Sequence, residues 1–310
     1  MSPLLVLYSL VACVPTSAVD AASAEDEPKE EEEEPPPSLD AMVNSYIPQN
    51  YAPEEVARVV FVGDSITAGT GATNRNLPYT KLLRENDDDT WPTATELDFT
   101  GIYGEEPEVI DEALGGATTA SLVTKQLPHV TEALGDTVSG VTAVVVTIAG
   151  NDVQALIAQP SKTEETAEKI VANLSDFYDY FEDPVRFPDG SVIFLANVYE
   201  PSDGVGQYDD CFYGLNLVEV LESLDYINEA TLAQAKERNV AWIDMRGHFL
   251  GHGFYAEDTE NPYHHPDDPS VWFDDDCIHP NDRGHHEIRR LMWYALAGES
   301  FPGDEAASED

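Results

Sequence analysis

Residues 56–67 read VARVVFVGDSIT, an apolar and largely β-branched run that ends in glycine and serine. Such a run predicts a buried strand over residues 56–62. Gly63 permits a sharp turn at the end of that strand, and the turn leaves Ser65 exposed beside it. A serine in this position is a candidate nucleophile, although it is inert at neutral pH unless a neighbouring base accepts its proton.

The rest of the body alternates strand and helix patterns. Apolar strand runs that do not alternate with polar residues, and that helices separate, predict a parallel sheet covered on both faces. The further predicted strands are 97–103, 142–148, 191–198 and 240–245, and the predicted helices are 79–86, 119–134, 164–180, 215–238 and 282–296.

Three more polar motifs lie where strands or loops end, the place where open α/β sheets bind ligands. AGND at 149–152 supplies Asn151, whose amide can donate to a developing oxyanion. GGATT at 115–119 offers a bare backbone N–H for the same oxygen. DCIHPN at 276–281 holds Asp276 and His279 three residues apart, so that the carboxylate can orient the imidazole.

The four motifs, GDSIT included, resemble in sequence and order those of the GDSL-type members of the SGNH hydrolase superfamily, over about residues 56–297. The resemblance implies an α/β fold, a three-layer α/β/α sandwich with a mostly parallel five-stranded sheet of the flavodoxin-like kind. One departure is Ala149, which stands where the family usually has glycine.

Carried over position by position, the resemblance makes Ser65 the nucleophile, His279 the base and Asp276 its orienting partner. The backbone N–H of Ser65, Gly116 and the side chain of Asn151 correspond to the oxyanion hole, with the preceding glycine as the alternative to Gly116. The implied function is an esterase that forms an acyl-enzyme and needs no cofactor or metal. An acyltransferase with the same residues, or a non-catalytic surface-binding module, is the alternative.

The substrate class stays open, because the family includes lipases, thioesterases and sugar esterases. We expect a small-molecule, glycan or lipid ester. Aromatic residues in two long loops predict a walled pocket, apolar for acyl chains or stacking for sugar rings, unless the rings only anchor the loops. These residues are Tyr208, Phe212, Tyr213, Phe254, Tyr255, Tyr263, Trp272 and Phe273.

The net charge of the chain restricts the kinds of partner that it can bind. Of 310 residues, 60 are acidic and 15 basic, which gives a formal net charge of −45 at pH 7. Nucleic acid would be repelled, so no nucleic-acid partner is expected. Apolar residues make up 42% of the chain, which excludes global disorder. The sequence does not predict an oligomeric state.

The N-terminal region predicts export. Residues 1–21 resemble a signal peptide, and Leu10 to Cys13 resemble a bacterial lipobox, so the product is either secreted or tethered to the cell envelope through lipidated Cys13. Residues 22–38 are an acidic, Pro- and Glu-rich disordered tether. The hydrolase domain is predicted over 39–302, with an acidic tail at 303–310.

Cysteine and histidine pairs carry two smaller expectations. In an exported protein Cys211 and Cys277 are expected to form a disulfide, which would pin a loop to the segment bearing Asp276 and His279. His285 and His286 are expected at the exposed start of the last helix. Adjacent histidines rarely ligate one metal, so no metal site is expected.

The acidity extends well beyond the two tails and points to a saline habitat. We expect the melting temperature to rise as NaCl is increased from low to roughly molar concentration, because salt screens the repulsion among carboxylates. Thermal unfolding followed by circular dichroism in a salt series measures this. A melting temperature that does not change with salt would contradict a saline habitat and indicate that the acidic surface serves only solubility.

Overall fold

The computed structural model describes residues 44–95, 97–208 and 216–298. Its centre is a five-stranded sheet in which every neighbouring pair of strands is parallel, in the order β2-β1-β3-β4-β5. The expected parallel sheet is thereby confirmed. The strands are β1 Arg58–Gly63, β2 Glu108–Asp111, β3 Thr142–Thr147, β4 Ser191–Ala196 and β5 Ala241–Ile243.

Helices connect the strands and cover both faces of the sheet. In the described ranges, none of them is both long and apolar enough to cross a membrane. A π-helical turn, Leu122–Gln126, joins α3 to α4. The α-helices are α1 Tyr79–Leu82, α2 Phe99–Tyr103, α3 Thr119–Ser121, α4 Leu127–Leu134, α5 Gly150–Gln154, α6 Thr163–Phe181, α7 Val218–Arg238, α8 Met245–Phe249 and α9 Asp282–Ala297.

Alternate residues of each central strand face different helix layers. Val60 and Val62 of β1 pack into the core formed with α4, α6 and α7. Val59 and Phe61 pack into the core formed with α1, α2, α8 and α9. Because both faces of β1 are buried, its side chains are apolar without alternation. The result is the expected three-layer α/β/α sandwich.

The prediction of a strand over 97–103 was wrong, because that segment forms helix α2. The Asp98 side chain accepts hydrogen bonds from two backbone N–H groups of the first turn, and the helix ends at Gly104 with φ +79°. The second strand is β2, at the edge of the sheet, where only Ile110 is buried. An edge strand with one buried side chain carries too little apolar signal to be recognised in the sequence.

The predicted exposure of His285 and His286 was also wrong. His285 is fully buried, and its Nε2 donates to the carbonyl of Thr70 (3.0 Å) while its Nδ1 accepts from the N–H of Tyr79 (3.4 Å). The His286 ring stacks on Trp91 at 3.8 Å between ring centroids. The loops after β1 and α1 cover this second face of α9, which a periodicity argument assigns to solvent.

We expect His285→Ala to lower the free energy of unfolding by about 2–4 kcal/mol, because the change opens a cavity and removes the partner of the buried N–H of Tyr79 and of the carbonyl of Thr70. His129→Ala is the matched control. The His129 side chain is 67% exposed and pairs with Glu112, so its loss is expected to change stability by less than about 0.5 kcal/mol. Urea unfolding at neutral pH and high salt measures both variants, and equal effects would contradict the burial argument.

The loss of stability in His285→Ala is expected to depend on pH. Burial lowers the pKa of His285 from 6.5 to about 4. Between these values the unfolded chain binds a proton at this site and the folded protein does not, so the stabilising contribution of His285 falls as the pH falls. We therefore expect the stability difference between the wild type and His285→Ala to shrink from pH 6.5 towards pH 4. A difference that grows on acidification would contradict this assignment.

Candidate active site

Ser65 lies in the turn that follows β1, and the geometry of this turn requires glycine at its start. Gly63 has φ +138°, and a Cβ added there would lie 2.2 Å from the carbonyl oxygen of Thr147. The N–H of Asp64 donates to that same carbonyl at 3.0 Å. The turn therefore lies against the end of β3, and it presents Ser65 at the carboxyl edge of the sheet.

Ser65, His279 and Asp276 form one hydrogen-bonded chain. His279 Nε2 lies 2.7 Å from Ser65 Oγ, and His279 Nδ1 lies 2.5 Å from Asp276 Oδ2. Because a carboxylate only accepts hydrogen bonds, Nδ1 carries the proton in the neutral ring. Nε2 is then the acceptor that faces the serine hydroxyl.

Asp276 is held in its ionised form by the residues that follow it. Burial acts to raise the pKa of this carboxyl, but the backbone N–H and ring of His279, together with the N–H of Ile278, outweigh it and lower the pKa. Those N–H groups lie 2.9 and 3.0 Å from Asp276 Oδ1. A lowered pKa keeps the negative charge beside the imidazole over the neutral range.

The second and third motifs meet at the end of β3. Asn151 lies in α5, directly after that strand, and its Nδ2 donates to the carbonyl of Ala117 at 2.8 Å. An amide NH2 has two hydrogens, so one remains for another acceptor. Gly116 precedes Ala117 and has φ +76°, whereas Gly115 does not have a positive φ. The segment with Gly116 is thus tied to Asn151.

Two aspartates, buried Asp64 and half-buried Asp152, hold these loops together. Asp64 accepts hydrogen bonds from the N–H of Ile66 (3.1 Å) and the hydroxyl of Thr147 (3.1 Å), and burial raises its pKa to about 7. Asp152 accepts from the N–H (2.9 Å) and the hydroxyl (3.1 Å) of Thr119, and burial raises its pKa as well. Their contacts are with loop backbone and threonine hydroxyls.

Ala149 shows why glycine is usual at the start of the third motif. Its φ is +83°, in the left-handed region that side chains disfavour by roughly 1 kcal/mol. Ala149 is also only 3% exposed, so its methyl group packs in the core. With alanine at this position, Asn151 still lies in α5 and bonds to the carbonyl of Ala117.

Gln126 contributes to this site, although no sequence pattern singles it out. Its side chain accepts from the N–H of Gly63 and donates to the carbonyl of Gly63, both at 2.8 Å. It is buried at the end of the π-helical turn, a geometry often found at functional sites. A buried glutamine in a helical pattern was the available signal, but nothing in the sequence connects it to Gly63.

An apolar cavity of about 110 Å³ opens beside Ser65 and Asn151. Of the aromatic loop residues expected to wall a pocket, Tyr208 lines this cavity. Trp272 and Phe273 instead pack into the core on the α9 side, so these two rings anchor their loop. Phe212 and Tyr213 lie outside the described residues.

Cys277 lies between Asp276 and His279 and is disulfide-bonded. It also lines the cavity and has a left-handed backbone conformation, with φ +67°. Cys211, the expected partner, lies outside the described residues. The pairing of these two cysteines stays a prediction.

The remaining histidine pair is used in packing. His264 Nδ1 lies 2.7 Å from the carbonyl oxygen of Ala256, and the His265 ring stacks on His252 at 4.8 Å between centroids. Among the described residues, no three His, Cys, Asp or Glu side chains are grouped so that they could hold a metal ion.

Comparison with known proteins gives both a family and a fold. Residues 61–287 match the GDSL-like Lipase/Acylhydrolase family. A catalytic mutant of an acetylxylan esterase from Geobacillus stearothermophilus aligns with a TM-score of 0.52 and 16% identity, over 81% of this chain and 98% of that chain. A protein from Parabacteroides merdae described as a GDSL-like lipase aligns with a TM-score of 0.51 and 18% identity, over 80% and 98%.

At these identities the two structures show a shared fold and nothing finer. A comparison with curated protein sequences finds no match. The family match, in contrast, covers most of the chain and all four motifs. The chain therefore belongs to the GDSL-like Lipase/Acylhydrolase family, and it is a carboxylic ester hydrolase.

Proposed function

We propose that the protein is an exported serine esterase that works through a Ser65–His279–Asp276 triad and an acyl-enzyme intermediate. The observation that carries this proposal is the hydrogen-bonded chain from Ser65 Oγ through the His279 ring to Asp276, with contacts of 2.7 and 2.5 Å. A nucleophile, a base and an orienting carboxylate in this order are the minimum that a serine hydrolase needs.

In the first step Ser65 Oγ attacks the ester carbonyl carbon while His279 Nε2 takes the hydroxyl proton. Asp276 stabilises the imidazolium that forms, and it stays ionised because its pKa is lowered. The same imidazolium then protonates the leaving alcohol oxygen. This step requires a neutral imidazole at the outset, so activity falls on acidification.

The negative charge that develops on the carbonyl oxygen is assigned to three donors: the backbone N–H groups of Ser65 and Gly116 and the side chain of Asn151. Support comes from the hydrogen bond between Asn151 and Ala117, which fixes the amide beside the Gly116 segment. Donors held in place before the reaction stabilise the oxyanion without reorganising.

In the second step water attacks the acyl-enzyme, with His279 again acting as base. An acyltransferase would differ only in using an alcohol or sugar hydroxyl in place of water. Analysis of the products with added acceptor alcohols distinguishes the two enzymes. Hydrolysis is the simpler assignment, because it asks for no second binding site.

Export is part of the proposal and rests on the apolar residues 3–14 and the acidic, proline-rich segment that follows. The disulfide at Cys277 supports it, since disulfides persist in oxidising compartments outside the cytosol. Cys13 then either bears a lipid or is removed with the signal peptide. Residues 1–43 lie outside the described part of the structure.

We expect Asp276→Asn to lower kcat by about 10⁴-fold. The asparagine can still accept the backbone N–H bonds, but its NH2 would face Nδ1, which forces the proton onto Nε2 and removes the base. Ser65→Ala is expected to lose 10⁴- to 10⁶-fold, on the order seen in other serine hydrolases. Hydrolysis of p-nitrophenyl butyrate measures both, and the neighbouring change Asp275→Asn is the control. Activity retained in Asp276→Asn would contradict the triad.

Asn151→Ala tests the oxyanion hole separately. Loss of one such donor is expected to lower kcat by about 10²- to 10³-fold with little change in KM, because the interaction forms in the transition state. Gln159→Ala, an exposed residue that follows this helix and is not among the residues lining the cavity beside Ser65, is the control. Unchanged kcat in Asn151→Ala, or a loss confined to KM, would remove Asn151 from this role.

A further inference from the structure

The cavity beside Ser65 has a mostly apolar wall. One face of α7 and its N-terminal flank supplies Leu217, Val220, Leu221 and Leu224, at the i, i+3, i+4 and i+7 spacing of a single helix face. Further apolar lining residues are Ile66, Ile148, Val153, Ile157, Val198, Met245 and Ile278.

Two polar side chains of the wall, Glu200 and Tyr199, are already engaged with other groups of the protein. The Glu200 carboxylate accepts from the N–H and hydroxyl of Ser202 and from the N–H of Gly204, at 2.5 to 2.6 Å. The Tyr199 hydroxyl donates to the carbonyl of Ile278 at 2.8 Å. A sugar ring in this cavity would lose its water without gaining these groups as partners. A hydrocarbon chain makes no hydrogen bonds to water, so it loses none when it enters the cavity.

The position of the cavity relative to the triad indicates which part of an ester it receives. Ser65 and Asn151 line it, whereas His279 is not among the described residues that do. A leaving alcohol takes its proton from His279 Nε2 and therefore departs on the side of the imidazole. The acyl group stays on Ser65 with its oxygen at Asn151, which is the side of the cavity.

The volume of the cavity limits the length of that acyl group. A cavity of about 150 Å³ in a protein core accommodates benzene, which has six carbons. At about 110 Å³, this cavity holds up to four or five carbons. The carbonyl carbon stays at Ser65, so the acyl group as a whole then has up to six. On the α7 wall Leu224 is 2%, Leu217 8% and Leu221 9% exposed, whereas Val220 is half-buried.

Building on the proposed serine esterase, we infer that this cavity is the acyl site, and that the enzyme selects esters of straight-chain acids with four to six carbons. Acetyl esters leave the cavity unfilled, and acyl chains of ten or more carbons exceed it. Leu221 on α7 is a specificity-determining residue that limits the length of the chain.

The first experiment is kcat/KM of the full-length protein in high salt for p-nitrophenyl acetate, butyrate, hexanoate, octanoate and decanoate. Each buried methylene is expected to raise kcat/KM about fourfold up to four to six carbons, after which kcat/KM falls. A parallel series of ethyl, butyl and hexyl acetates is expected to be flat. A maximum at acetate, a rise through decanoate, or a trend only in the alcohol series would overturn the inference.

Two variants of the same helix test the wall. Leu221→Ala is expected to raise the ratio of octanoate to butyrate hydrolysis at least about tenfold, because it removes three carbons from the wall. Leu232→Ala, which lies in α7 and lines a different groove, is expected to leave that ratio unchanged. Leu221→Phe should reduce hexanoate hydrolysis relative to acetate. Equal ratios in both alanine variants would overturn the role of Leu221.

Ratios within one protein do not depend on the fraction that is folded, so partial destabilisation does not mimic the effect. Ser65→Ala distinguishes a failure of the proposed serine mechanism from a failure of the acyl-site inference. If Ser65→Ala retains the wild-type rate, the proposed serine mechanism fails and the acyl site fails with it. If Ser65→Ala is inactive but the chain-length profile is flat, the mechanism stands and only the acyl-site inference is overturned.

Discussion

The candidate active site depends on one contact between distant parts of the chain. Ser65 Oγ and His279 Nε2 lie 2.7 Å apart although 214 positions separate them in sequence. Further ties between the same two loops hold this distance. The N–H of Thr73 donates to Asp282 at 2.8 Å, and buried His285 bridges the carbonyl of Thr70 to the backbone that begins α1. Because α9 also packs against the sheet, it fixes the imidazole relative to the nucleophile turn.

The sheet supplies the other half of that geometry. In register, Gly63 pairs with Thr147, and Thr147 pairs with Ala196, so three strands end at one level. Whatever follows these ends is brought to the same edge, as parallel sheets require. Ser65 and Asn151 follow two of them. The hydrogen bonds of Asp64 to Thr147 and of Gln126 to Gly63 then satisfy the polar groups that the turn buries.

The proposed chemistry and the proposed selection of substrate depend on different structural elements. The proposed chemistry uses polar groups on loops at the ends of β1 and β3 and before α9. The proposed choice of acyl group uses an apolar face of α7, whose residues lie outside all four motifs. Cys277 belongs to both, since it lies between Asp276 and His279 and also lines the cavity.

The sequence by itself determined the parallel α/β fold, because β1 and β3 are buried on both faces and leave unbroken apolar runs. The four motifs could also be recognised in the sequence, since each is a short local pattern and the four occur in the order that the family has. The sequence failed for edge strand β2, where one buried side chain gives no pattern. Only the tertiary structure decided the burial of His285, the clamp of Gln126 on Gly63 and the cavity beside Ser65. Each of these depends on which distant segment covers a surface, and local periodicity carries no information about that.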